Sequence, residues 1–294
     1  MEKDTVAILG TGNVGTAVGV LLRNAGYPIT AISDRDHASA ARGAEFTGGR
    51  VYGSISEAAS QATCIIISTP DDIIESVCNQ IADSGAVRSG AKVIHLSGAG
   101  GCSLLAAAHR LGARVAAIHP IQTFANIQSA ISSIPGSTFG ITADREIEAW
   151  AFQLVRDIGG NPFSVSESDR PLYHAAACIA SNYLVTLMHV AESIYRKFGL
   201  DSEEALRACW PLVEGTMRNI RDKGTTKALT GPVARGDIGT ILKHLEAIQK
   251  SDPSYLQLYR TMGLLTADLA LEKGTLSKEK AAELKHILQE NTYE

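Results

Sequence analysis

Residues 5–26 read TVAILGTGNVGTAVGVLLRNAG, and this stretch decides the fold. Val6–Leu9 is a short apolar run of strand character. It meets Gly10-x-Gly12-x-x-Gly15, and an apolar helical pattern then runs to Gly26. Each glycine has a task in holding a dinucleotide. Gly10 permits the tight turn out of the strand. Gly12 removes a side chain so that a pyrophosphate can approach the backbone, and Gly15 lets the helix pack closely on the strand. Thr11, Asn13 and Val14 complete this phosphate-facing turn, and the helix start adds unpaired N–H groups and partial positive charge. The competing reading is a Gly-rich turn without a ligand. The strand before it, the helix after it and a second strand over Tyr27–Ser33 favour the dinucleotide site.

The second strand ends in Asp34, 19 residues beyond Gly15. That is near the spacing at which a carboxylate accepts from a ribose 2′-OH, as in NAD sites. Arg35 follows at once and suits the 2′-phosphate of NADP. A carboxylate and a phosphate repel, so only one of the two residues points inward. Both cofactors stay open at this point.

Strands and helices alternate through the first half. Apolar runs at Cys64–Ser68, Lys92–Leu96 and Arg114–Ile118 read as strands buried on both faces, with late strands at Ser137–Thr142 and Asn161–Val165. Beyond Ser166 the strand signals stop and helix signals take over. They include a long segment over 171–196, a capping box at Asp201-x-x-Glu204, and helices near 237–249, 253–273 and 277–289. The expected fold is an α/β Rossmann domain over 1–165, a mainly parallel sheet with helices on both faces. An all-α domain follows over 166–294.

The composition excludes several classes. In 294 residues the net charge is −4 with no basic run, which argues against a nucleic-acid or anionic-membrane partner. No apolar stretch reaches the roughly 18 residues that span a bilayer. The N-terminal MEKDTVAILG lacks a signal-peptide layout. The five cysteines are widely spaced, with no CxxC pair to indicate a disulfide framework or a metal site. A cytoplasmic location is expected.

In an open α/β sheet, ligands bind outside the carboxyl ends of the strands. Four such ends carry notable residues: the glycine turn, Ser68-Thr69-Pro70, Ser97-Gly98 and His119-Pro120. Ser68, Thr69 and Pro70 are placed to line the nicotinamide ribose. Ser97, Gly98 and His119 lie nearer the reacting end. Asp71 and Asp72 read first as helix-capping acids. On the 171–196 segment, His174, Cys178, Ser181, Asn182 and His189 fall on one stripe of a continuous helix. Short hydrogen-bonding groups on an otherwise apolar helix suggest a lined cavity, the alternative being a polar seam between helices. His174 is the candidate acid/base, because an imidazole exchanges a proton near neutral pH. Asn182 is the candidate orienting group. Arg235, in ALTGPVARGD, reads equally as a carboxylate anchor or as part of a well-capped interhelical loop. No G-x-S-x-G elbow supports hydrolase chemistry.

The stretches HLSGAGG (95–101), HPIQTF (119–124), YHAAACIASNYLVTL (173–187) and ALTGPVARGD (228–237) carry a resemblance. The chain resembles a bacterial family of Rossmann-like proteins with a C-terminal helical domain of unknown function. That family lies within the 6-phosphogluconate-dehydrogenase-like superfamily, beside pyrroline-5-carboxylate and ketopantoate reductases. The resemblance implies an NAD(P)-dependent oxidoreductase acting on a small carboxylated substrate through a C=O or C=N group. It also implies a homodimer formed through the helical domain, and it leans toward NADP. Related dehydrogenases carry a Lys with Asn residues four and eight positions later. Here those places read His174, Cys178 and Asn182, which keeps the last Asn and replaces the Lys. The other function class that fits is a non-catalytic dinucleotide-binding sensor or assembly protein.

Overall fold

The computed structural model describes residues 3–289. Elements run β1 (Val6–Leu9), α1 (Asn13–Asn24), β2 (Ile29–Ser33), α2 (His37–Thr47), β3 (Arg50–Val51), α3 (Ile55–Ala59), β4 (Cys64–Ile67), α4 (Asp71–Asp83), β5 (Lys92–His95), α5 (Ala106–Arg110), β6 (Arg114–Pro120), α6 (Ile127–Ser133), β7 (Thr138–Ala143), α7 (Glu148–Asp157) and β8 (Asn161–Ser164). The eight strands form one sheet in the order β3-β2-β1-β4-β5-β6-β7-β8. Every neighbouring pair is parallel except β6 with β7. The order reverses between β1 and β4, which is where an open sheet of this kind opens a crevice.

The sheet is buried on both faces because its central strands are apolar throughout. Side chains alternate between faces along a strand. Ile8, Ile66 and Ile94 join Val18 and Leu22 of α1 in one core. Leu9, Ile65, Ile67 and Val93 join Ile74 and Ile81 of α4 in the other. In register, Leu9, Ile67, His95 and Ala117 lie side by side, so the carboxyl ends of β1, β4 and β5 are level and β6 runs on beyond them.

Then follow α8 (Arg170–Ala180), α9 (Asn182–Arg196), α10 (Ser202–Lys223), α11 (Thr225–Ala228), α12 (Pro232–Arg235), α13 (Ile238–Ser251), α14 (Leu256–Lys273) and α15 (Lys278–Gln289). The Asp201–Glu204 capping box opens α10, and Asp237 caps α13 through Thr240 N–H. Ile241, Leu245, Ala267, Leu284 and Leu288 form a core of their own. The last five residues of the expected helical domain, 290–294, lie outside the described residues.

Three details differ from the sequence expectations. The single helix over 171–196 is two helices that meet at Ser181, whose φ of −120° is far from the helical value although its N–H still bonds the Ala177 carbonyl. Compact units divide between Tyr183 and Leu184, so α8 packs with the sheet-bearing unit although strand signals end at 165. Strand β6 extends through His119 and Pro120, because antiparallel pairing with β7 sets His119 opposite Gly140.

Candidate active site

The glycine turn is built as the spacing requires. Gly10 has φ +97°, and a Cβ there would come within 2.8–2.9 Å of the Ser68–Thr69 backbone. A Cβ on Gly15 would overlap Ser68 Oγ and crowd the Gly10 carbonyl oxygen. Ser68 itself donates to that carbonyl at 2.7 Å, so its hydroxyl secures the turn. Gly12 differs from both, since a Cβ there meets nothing within 4 Å. Asn13 is tied to the loop after β6 by a 3.1 Å bond to the Phe124 carbonyl. The Thr69 hydroxyl is buried without a hydrogen-bond partner, beside exposed Pro70 at the start of α4.

Asp34 faces inward, onto the turn. Its Oδ2 accepts from Thr11 N–H at 2.6 Å and Thr11 Oγ1 at 2.9 Å, and its Oδ1 accepts from Asp36 N–H at 3.0 Å. Arg35 is exposed.

The loop after β5 is organised from below by His95, which is fully buried. Its Nδ1 accepts from Ser97 N–H at 3.1 Å, so its proton is on Nε2, which meets the Gly101 carbonyl at 2.9 Å. Burial pushes this imidazole down to about 4, against the pull of the Gly101 bond. Ser97 is a second tie. Its hydroxyl donates to Asp71 Oδ2 at 2.7 Å and accepts from Gly100 N–H at 3.0 Å. That hydrogen is therefore spent inside the protein, and Ser97 holds the loop instead of facing a ligand. Asp71 also exceeds its expected capping role, since it ties α4 to this loop.

Gly98 lies beneath two imidazoles. A Cβ there would overlap His174 Nδ1 and lie 2.9 Å from His119 Nε2. The two rings meet edge to face, with centroids 5.5 Å apart. His174 Nδ1 is buried and has no hydrogen-bond partner. His119 Nδ1 lies 2.7 Å from the Tyr173 hydroxyl. Burial, then the neighbouring His174 and Arg170, push His119 down to about 4. Tyr173 is pushed up by burial, with Arg170 acting against the shift.

Beside this pair lies a cavity of about 460 Å³. It is lined by His119, the loop residues Ile121–Phe124, and the α8 side from His174 through Cys178 to Ser181 and Asn182. Every side chain of HPIQTF except that of Pro120 lines it. His189 is not among the residues lining this cavity and belongs to the other compact unit. Arg235 is in the other compact unit, exposed beside a separate cavity of about 430 Å³ with Thr230, Lys273 and Thr275. Among the described residues, no three His, Cys, Asp or Glu side chains are grouped to hold a metal ion. None of the described helices is long and apolar enough to cross a membrane.

The sequence reading missed Tyr173 and Arg170. The signal for Tyr173 was its place next to His174 at the head of a matching stretch. Arg170 looked like an ordinary charged residue at a helix start, and only the fold shows it fully buried.

A family profile described as a Rossmann-like domain matches residues 2–120, and one described as a domain of unknown function, DUF2520, matches residues 137–266. No curated protein matches the chain. Among solved structures, a Bacteroides fragilis protein provisionally assigned as an NADP oxidoreductase is similar at 21% identity and TM-score 0.74, covering 90% of this chain and 98% of that one. A Thermotoga maritima protein is similar at 24% identity and TM-score 0.70, covering 92% and 100%. A Plasmodium falciparum pyrroline carboxylate reductase with NADP bound follows at 16% identity and TM-score 0.59, covering 97% and 99%. At these identities the likeness is one of fold. The chain therefore belongs to the proteins that join a Rossmann-like domain to a DUF2520 domain.

Proposed function

We propose that the protein is an NAD(P)-dependent oxidoreductase that moves hydride between nicotinamide and a C=O or C=N group of a small carboxylated substrate. The observation that carries this reading is the contrast within the glycine turn. Gly10 and Gly15 are filled against protein, whereas Gly12 faces open space at the strand ends. A Cβ-free approach at that one position is what a pyrophosphate needs. The unpartnered Thr69 hydroxyl at the adjoining strand end fits a further polar contact to a ligand. Residues present thus suit the dinucleotide, and neighbours of the same fold include an NADP-bound reductase.

Gly10–Gly15 would hold the pyrophosphate, and Thr69 and Pro70 the nicotinamide ribose. NADP fits where its 2′-phosphate is held on the Arg35 side, away from the inward Asp34 carboxylate. Both Asp34 oxygens are engaged by Thr11 and Asp36, so a ribose hydroxyl would compete with protein donors. Arg35 is exposed and makes no hydrogen bond or ion pair among the described residues, leaving it available to a 2′-phosphate.

When bound, the nicotinamide supplies a hydride to the substrate carbon or removes one. His174 exchanges the accompanying proton with the substrate heteroatom, and Asn182 orients the substrate in the cavity. The helical unit is assigned to a homodimer. Of the 22 residues of α10, only Ala205 and Cys209 are buried, and Leu206, Trp210 and Met217 share one exposed apolar face. Five free thiols fit a reducing compartment, the cytoplasm.

Thermal unfolding with NAD+, NADH, NADP+ and NADPH, each alone, tests the reading. A ligand at about 100 times its Kd adds roughly 2.7 kcal/mol to the native state. A clear shift with the NADP pair is expected, and no shift with any of the four rejects the oxidoreductase.

A further inference from the structure

Arg170 is completely buried. Its Nη1 donates to Thr142 Oγ1 at 3.1 Å and its Nη2 to the Ser97 carbonyl, both uncharged oxygens. Its Nε is buried with no partner. A guanidinium held this way is costly to bury, so its position calls for a reason. Its Cζ lies 5.8 Å from the Tyr173 ring centre, and the Tyr173 hydroxyl lies 2.7 Å from His119 Nδ1.

Positive charge beside a phenol strengthens its O–H as a donor and opposes protonation of an imidazole bonded to it. The groups around His119 divide unequally. His174, Arg170 and His95 disfavour a charged ring and Asp71 favours one, while burial outweighs them all. Asp71 is already engaged by Ser97. His119 is therefore neutral at ordinary pH and carries one ring proton. The Tyr173 hydroxyl can donate to either of two acceptors, Nδ1 at 2.7 Å or the His119 carbonyl at 3.4 Å. Donation to the nearer one, Nδ1, leaves the ring proton on Nε2.

The Cε1–Nε2 edge of His119 borders the space over Gly98, each atom 2.9 Å from a Cβ built there, and His119 lines the cavity. The other polar side chains of the lining are Gln122, Thr123, His174, Cys178, Ser181 and Asn182, with no carboxylate among them. A protonated imine would find no counter-ion there and would face the field of Arg170. An uncharged carbonyl oxygen needs a donor and gains charge as it is reduced.

We propose that Arg170 and Tyr173 are positioning residues that hold the His119 ring proton on Nε2, as the donor to an uncharged substrate carbonyl oxygen. The proposal rests on the oxidoreductase reading and narrows it from C=O or C=N to C=O.

The test is nitrogen NMR of 15N-histidine-labelled full-length protein at neutral pH, with His119 assigned through His119→Gln. The expected pattern is a protonated Nε2 and an unprotonated Nδ1. The reverse pattern, or a doubly protonated ring, overturns the proposal. Tyr173→Phe should move His119 toward a mixture of both tautomers, and an unchanged spectrum overturns the role of Tyr173. Two probes of one ring size then compare acceptors. 2-Pyrrolidinone, an uncharged carbonyl, should shift the His119 Nε2 resonance at saturating concentration, and pyrrolidinium should not. A response to pyrrolidinium alone, or to neither, overturns the carbonyl assignment. NADPH binding is measured separately, so its failure rejects the oxidoreductase without altering the tautomer result.

Discussion

The Cβ that Gly98 lacks would fall on His174 Nδ1, within 2.9 Å of His119 Nε2. Two imidazoles from distant parts of the chain, one on β6 and one on α8, therefore share the space left by a missing side chain on the β5 loop. Gly98→Ala is predicted to force them apart. Overpacking of this kind costs about 1–3 kcal/mol. The expected result is a modest loss of thermal stability with NADPH affinity unchanged and turnover of any identified substrate at least tenfold lower. Unchanged turnover would show that the paired rings take no part in the chemistry.

His95 and His119 give the fold an acid-sensitive component. Both are pushed down to about 4 from an ordinary 6.5. As pH falls below 6.5 the unfolded chain takes up protons that the native state refuses, so stability drops. The contribution is complete above pH 6.5 and is lost progressively toward pH 4. Urea midpoints measured across that window should decline, and His95→Gln should flatten the decline from a lower starting stability. A midpoint constant from neutral pH to pH 4 would contradict this account.

The exposed face of α10 predicts self-association. Light scattering at micromolar concentration should give twice the mass of one chain, and Trp210→Glu should give the mass of a single chain with helicity retained. A wild-type protein at single-chain mass would refute the dimer.

Much of this was legible in the chain because the signals were local. A glycine spacing, an apolar strand and a capping box each act within a few residues, so the β1–α1 turn, the sheet and α10 could be read directly. The break at Ser181 could not, because Ser181 and Asn182 are only mildly unfavourable inside a helix and the apolar pattern runs on across them. The role of Ser97 was also hidden, since its partners Asp71 and Gly100 are fixed by loop geometry. Arg170 is the strongest case. Its burial depends on Thr142 and Ser97, which are far away in sequence and meet it only once β5 and β7 are in place.

Arg35 and Asp34 divide the cofactor question between them. Arg35→Ala should weaken NADPH binding by about 1.5–3 kcal/mol, the range for a hydrogen bond to a charged group, while leaving NADH binding alone. Asp34→Ala should instead lower the stability of the nucleotide-free protein, because it leaves Thr11 N–H without its acceptor. Equal loss of NADH and NADPH binding in Arg35→Ala would remove the case for NADP.

The most direct measurement is a fluorescence titration of NADPH into wild-type protein and Gly12→Ala. Nothing within 4 Å opposes the new methyl group in the free protein, so the fold should be intact. The methyl would stand where the pyrophosphate must approach. Saturable binding to wild type and its loss in a stably folded Gly12→Ala is the predicted result. No binding to wild type, or undiminished binding to Gly12→Ala, would contradict the dinucleotide site on which the proposed function rests.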